Sequence, residues 1–206
     1  MAAQMNPWKL TLMVALVSAL LNGVITGVVG GWIAERYSTE QSRKDSVHAL
    51  AIDIYDRRAS ASLVSSSIKR DAELSELRRR KERYDESYLT WNKNLKANLL
   101  RVREVLVAQE YSYFEQQIEY RLVKVLRRID GCLTSAYDAR IGGQDGKKIL
   151  RDCQMTKQLQ VALDCGYAIT DELYKVARVS FLPWHQAQTV SLDSVAQQVD
   201  QFCPKI

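Results

Sequence analysis

The side chains that could carry chemistry are few, and their spacing narrows what that chemistry is. Four cysteines stand at Cys132, Cys153, Cys165 and Cys203, and the two histidines are His48 and His185. There is no C-x-x-C pair, and neither histidine is near a cysteine in sequence, so a zinc site is disfavoured. Cys132 and Cys153 are equally distant from Gly142-Gly143, and Cys165 and Cys203 are equally distant from Trp184. If both places are turns between antiparallel helices, each pair comes level. Two bridges, Cys132–Cys153 and Cys165–Cys203, then staple the two hairpins. Such bridges need Cα atoms about 5.5–6 Å apart and an oxidising compartment such as a bacterial periplasm. The competing reading makes Cys132 and Cys153 small apolar residues of a core.

The carboxylate pairs Asp53/Asp56, Glu115/Glu119 and Asp171/Glu172 lack a histidine at i+3, which disfavours a di-iron bundle and leaves them as surface charge. No G-x-x-x-x-G-K loop, G-x-S-x-G elbow or H-E-x-x-H helix occurs, and no G-x-G-x-x-G outside the apolar N-terminal run. No cofactor, metal or catalytic set is therefore expected from these motifs.

One pattern resembles an enzyme signature. Arg43 to His48 has the form R-x4-H, and Arg178 to His185 the form R-x6-H. These are similar to the R-x(4–6)-H motif of HEPN ribonucleases, helical bundles that juxtapose Arg and His from two protomers. Some membrane-anchored CRISPR accessory proteins combine an N-terminal span with such a bundle. The resemblance covers six and eight residues. It implies a cytosolic, RNA-dependent effector with Arg43 and His48 as the candidate pair. The polar residue usual after the arginine is Lys44 in the first match, whereas Val179 departs from it in the second.

The element that must position everything is Leu10 to Trp32, a run without a charged residue. A bilayer core is crossed by about 20 apolar residues in a helix, so residues 10–33 are expected to form a single transmembrane helix after a tail of residues 1–9. The run is longer than a signal-peptide h-region and ends in no Ala-x-Ala site, which favours a permanent anchor. Ala15, Ala19, Gly23, Gly27 and Gly31 recur every fourth position on one face, an extended small-xxx-small pattern suited to close packing against a second copy. Ser18, Asn22 and Thr26 form a polar stripe about 100° away, and polar groups at bilayer depth need partners.

Beyond the span, residues 38–206 read as one helical domain. Few glycines and prolines remain to break helices there. Ser38, Thr39 and Ser42 are candidate N-caps for a helix reaching Lys69. A second helix follows the Asp71–Glu76 break and runs to about Gln109. A third covers Tyr111 to Arg140, a turn lies at Ile141–Gly146, and a fourth runs from Lys147 to about Val179. Phe181–His185 breaks the pattern at Pro183, and Ser191 caps a short last helix. The fold expected is all-α: a transmembrane helix, an antiparallel bundle of about four long amphipathic helices, and a short C-terminal helix.

Charge is mild, at +5, and interleaved, so the Arg78–Arg83 run reads as a solvated face and nucleic acid is disfavoured as a partner. Arg57 lies on the inner seam of its helix, where it meets a carboxylate or extends its head outward. Arg36, Arg43 and Lys44 after the span outnumber Lys9 before it, which leans towards a cytoplasmic bundle. The cysteine symmetry leans the other way, to a bacterial inner-membrane protein with a periplasmic bundle. The expectation is a non-enzymatic membrane scaffold, partner-binding subunit or pore component. It self-associates in the lipid bilayer through its glycine-lined helix, with a membrane or periplasmic protein as a further partner.

Overall fold

The computed structural model describes residues 7–106, 108–177 and 191–203. Among them there is no strand. Helix α1 spans Pro7–Lys69, 63 residues, about 95 Å at 1.5 Å per residue. It runs unbroken from the apolar segment into the bundle, so the expected helix start near Ser38, Thr39 and Ser42 is absent. The residues between Gly31 and Lys69 contain neither glycine nor proline. Two i,i+4 pairs cross the junction: Lys44 with Glu40 at 2.6 Å and Gln41 with Asp45 at 2.9 Å. Ser42 does not cap; its carbonyl accepts from Ser46 Oγ at 2.9 Å.

α1 ends in a left-handed turn at Asp71 (φ 53°), where Ala72 N–H donates to Ser67 O at 2.9 Å. Helix α2, Leu74–Val105, then runs back along α1. Arg70 pairs with Glu76, Arg80 donates to Leu63 O (3.0 Å), and Asn98 donates to Asp53 (2.7 Å), so rising positions on α2 meet falling positions on α1. α2 stops short of the expected Gln109 because Leu106 turns extended (φ −108°, ψ 152°) and is buried there.

The third expected helix is realised as α3 (Ala108–Gln117), a π turn (Ile118–Leu122) and α4 (Val123–Ile141). Phe114, Ile118 and Leu122 are all fully buried. Four-residue steps drift about 40° per step on an α-helix, and the wider π turn absorbs that drift, keeping all three on the core side. Gly142 and Gly143 (φ 76°) then end α4. Asp145 caps α5 (Gly146–Asp152) by accepting from Lys147 N–H (2.9 Å) and Lys148 N–H (3.1 Å).

The fourth expected helix is broken at Cys153–Gln154, where Gln154 is left-handed (φ 53°), before α6 begins at Met155 and ends at Val176. Leu150 and Met155 are both buried. Five residues apart, they would sit about 140° apart on a straight helix. The break brings both inside. The expected break at Phe181–His185 and the last turn to Val179 lie outside the described residues. Helix α7, Leu192–Phe202, follows Ser191, whose side chain makes no capping hydrogen bond.

α1, α2, α4 and α6 enclose the core, with Trp91, Tyr84 and Phe114 its largest fully buried side chains. Two glycines mark close approaches. A Cβ on Gly166 would meet Ile54 Cγ2 at 2.7 Å, and one on Gly146 would collide with the Ala136 carbonyl, while one on Gly131 meets nothing within 4 Å. Gly146→Ala is expected to lower the unfolding free energy by about 1–3 kcal/mol. Gly131→Ala, in the helical interior of α4, is expected to raise it by about 0.5–1 kcal/mol. Urea titration followed by circular dichroism measures both, and equal effects would contradict the packing at Gly146.

Candidate functional site

Two regions combine unusual chemistry with defined geometry: the apolar arm of α1 and a buried ionic cluster inside the bundle. The arm contains the only stretch among the described residues that is long and apolar enough to cross a membrane. Residues 11–31 are exposed without interruption. A Cβ added at Gly23, Gly27 or Gly31 meets nothing within 4 Å. Ala15, Ala19, Gly23, Gly27 and Gly31 thus sit on one helix with none of the described residues of the bundle packed against them, and Ser18, Asn22 and Thr26 are exposed beside them. At the bundle end of the run, the Arg36 guanidinium lies 5.6 Å from the Trp32 ring centroid, an arrangement suited to an interface between apolar and wet surroundings.

The ionic cluster centres on Arg57 of α1, which finds a carboxylate in Asp130 of α4. Tyr84 of α2 donates its hydroxyl to the other carboxylate oxygen. The Arg57 guanidinium also lies 4.9 Å from the Tyr88 ring and 5.7 Å from that of Trp91. Arg57 and Tyr84 are buried, and the Asp130 side chain is 19% exposed. Burial pushes the Asp130 carboxyl above its ordinary value, and the Arg57 charge opposes the shift without cancelling it. Burial, together with the Asp130 charge, raises the Tyr84 phenol, so Tyr84 stays a neutral donor. The cluster ties α1, α2 and α4 at one level. Sequence spacing placed Arg57 on the seam; Asp130 and Tyr84 as its partners carried no sequence signal.

The cysteines pair as their symmetry about the turns suggested. Cys132 and Cys153 have Cα atoms 6.2 Å apart, Cys165 and Cys203 4.6 Å, and both pairs are at disulfide distance. The first pair crosses the α4–α5 turn and the second ties α7 to α6.

The remaining candidates disperse into structural roles. Arg43 and His48 are five residues apart on α1, about 140° around the helix, so a single chain does not bring them onto one face; His48 is exposed. Arg178 and His185 lie outside the described residues. Asp53 accepts from Asn94 (3.2 Å) and Asn98 (2.7 Å), and Glu115 accepts from Tyr111 (2.8 Å). Asp171 and Glu172 share Lys175, each at 2.7 Å, and these two bonds raise the Lys175 ammonium to about 12. Glu172, expected at the surface, is buried, its charge met by Lys175. In the basic run, Arg80 pairs with Glu76 (2.7 Å) and Lys81 with Asp85 (2.6 Å). On the same helix Tyr84 and Trp91 are core, whereas Tyr88 between them reaches the surface. No group of three metal-ligating side chains occurs among the described residues.

Compared with known proteins, the chain matches no family model, no curated protein and no solved structure.

Removing one partner of a buried pair leaves the other charge uncompensated. Asp130→Ala is therefore expected to cost about 3–5 kcal/mol, and adding Arg57→Met to recover part of that loss. A double-mutant cycle by urea unfolding checks this; additive losses would mean the two charges are uncoupled.

Proposed function

We propose that the chain is a single-pass membrane protein whose N-terminal helix binds a second copy of itself. The contact is the face bearing Ala15, Ala19, Gly23, Gly27 and Gly31, and the bundle serves as a non-enzymatic scaffold for a membrane or periplasmic protein. The observation that carries this reading is the bare face: the bundle leaves every one of those residues exposed. Apolar tails do not drive helices together in lipid, so close backbone approach at small residues and interhelical hydrogen bonds must do so. Ser18, Asn22 and Thr26 gain their partners in the same contact.

The unbroken α1 adds a directional argument. At 100° per residue, Gly23 and Gly27 point about 120–180° away from Val47, Leu50 and Ile54, which are buried in the core. A copy docked at Gly23 and Gly27 therefore meets the side of α1 opposite its own bundle, whereas Ala15, carried around the helix by the drift of about 40° in each four-residue step, lies nearer the bundle's side. The two cysteine pairs support an oxidising compartment for the bundle.

Gly27→Leu is expected to convert the oligomer to monomer in mild detergent, measured by light scattering with detergent subtraction, while Val28→Leu on a neighbouring face leaves it intact. An unchanged mass for Gly27→Leu, or a monomeric parent, would remove the self-association reading. Alkylation of protein from intact cells under denaturing conditions is expected to add no label until reductant is present. Four labels without reductant would place the bundle in a reducing compartment.

A further inference from the structure

The two cysteine pairs sit in different surroundings, and the difference bears on α7. Cys132 is 8% exposed and Cys153 half-buried, whereas Cys165 and Cys203 are both 0% exposed. The outer pair joins α4 and α5, which the short Gly142-Gly143 turn and the close seat of Gly146 on Ala136 already hold together. The inner pair holds the end of an 11-residue helix whose chain connection to α6 passes through residues 178–190. Val195 and Val199 of α7, and Cys203 just after it, are fully buried. Its polar attachments include Arg121 of the π turn, which pairs with Asp200 and donates to Cys203 O at 2.7 Å, and Lys175, which lies 3.5 Å from Gln198. A helix of this length is marginal by itself in water.

We infer that Cys165–Cys203 is a redox latch for α7, opened only after the outer pair and only through transient lifting of α7 itself. The inference rests on the reading that the bundle occupies an oxidising compartment. The opening reaction is thiol–disulfide exchange with an external dithiol. Its thiolate attacks one cystine sulfur and displaces the other as a thiolate. The second thiol of the reductant then closes its own disulfide. Two electrons and two protons enter the pair, which ends as two thiols, and the dithiol ends oxidised. Attack requires the nucleophile to reach a sulfur. The outer pair offers that access, and the inner pair, covered by α7, offers it only when α7 lifts. Once reduced, α7 no longer has a covalent tie to α6, and non-covalent contacts such as those of Val195, Val199, Arg121 and Lys175 must offset the entropy of ordering its backbone. Its departure uncovers the α6 side of the core beside the π turn and leaves Arg121 without Asp200.

The test uses the full chain in detergent, dithiothreitol as the dithiol, timed alkylation read by peptide mass, and hydrogen exchange over residues 192–202. The expected course is labelling of Cys132 and Cys153 first, by about tenfold or more in rate. Protection across α7 holds through that phase and is lost together with labelling of Cys165 and Cys203. A Cys132→Ser, Cys153→Ser variant keeps α7 protected, while Cys165→Ser, Cys203→Ser loses protection there and keeps it in α4. Simultaneous labelling of the pairs, or α7 protection that survives full reduction, overturns the latch while leaving the oxidised-compartment reading in place. Four labels before any reductant overturn both. The time course on the unsubstituted chain decides the matter if a serine variant fails to fold.

Discussion

The constraint on which the structure depends is that an apolar segment without water must satisfy its own backbone. Helical hydrogen bonding within the segment is the local way to do so, and it commits Leu10 to Trp32 to a helix. Nothing after Trp32 releases that commitment. With no glycine or proline before Lys69 and with i,i+4 pairs at Glu40–Lys44 and Gln41–Asp45, propagation continues, each added residue gaining a hydrogen bond without a new nucleation cost. One rod results, apolar and bare along its first half and packed along its second. α2, α4 and α6 assemble on that packed half.

The bundle fixes its registry on α1 through a polar device set in an apolar seam. Arg57 could find no water at its position, so its charge is met by Asp130 and its faces by Tyr88 and Trp91. Such a pair adds little net stability over an apolar substitute, because desolvation offsets much of the attraction. Its effect is on specificity: sliding α1 by one turn would strand a guanidinium against aliphatic side chains. The Asp53 contacts with Asn94 and Asn98 repeat the device nearer the C-terminal end of α2. Together they tie α1 to α2 and α4 at two levels.

Helix class, the apolar span and the inner faces were legible because they follow from periodicity, and periodicity is local. Val47, Leu50, Ile54, Val64 and Ile68 are buried as their spacing required. The cysteine pairing was legible for a related reason, since equal distance from a turn is arithmetic on an antiparallel hairpin. What escaped were features set by packing partners with no pattern in the sequence to announce them. The π turn at Ile118–Leu122 answers a drift that matters only once Phe114 and Leu122 must share one core. The break at Gln154 exists because Leu150 and Met155 must both turn inward. Asp130 takes its role from Arg57 and Tyr84, which face it from two other helices. In the candidate contact face the residue types were legible, but whether the bundle covered them was a tertiary question.

The continuity of α1 bears on what the bundle can do. A flexible linker between span and bundle would let each adopt its own orientation, and a contact within the membrane would then carry no information beyond proximity. A helix of 63 residues allows no such independence. The same rod carries residues 47–68, where the Arg57 cluster and the core join it to α2 and α4. The first turns beyond Trp32 hold exposed and half-buried residues, and the first fully packed position is Val47, about 22 Å farther along the rod. The bundle is thus held off the apolar segment by a stiff stalk, with α6 reaching back towards it where Lys44 lies 5.9 Å from the Tyr174 ring. A protein built this way holds its bundle at a set distance and rotational phase from the apolar segment.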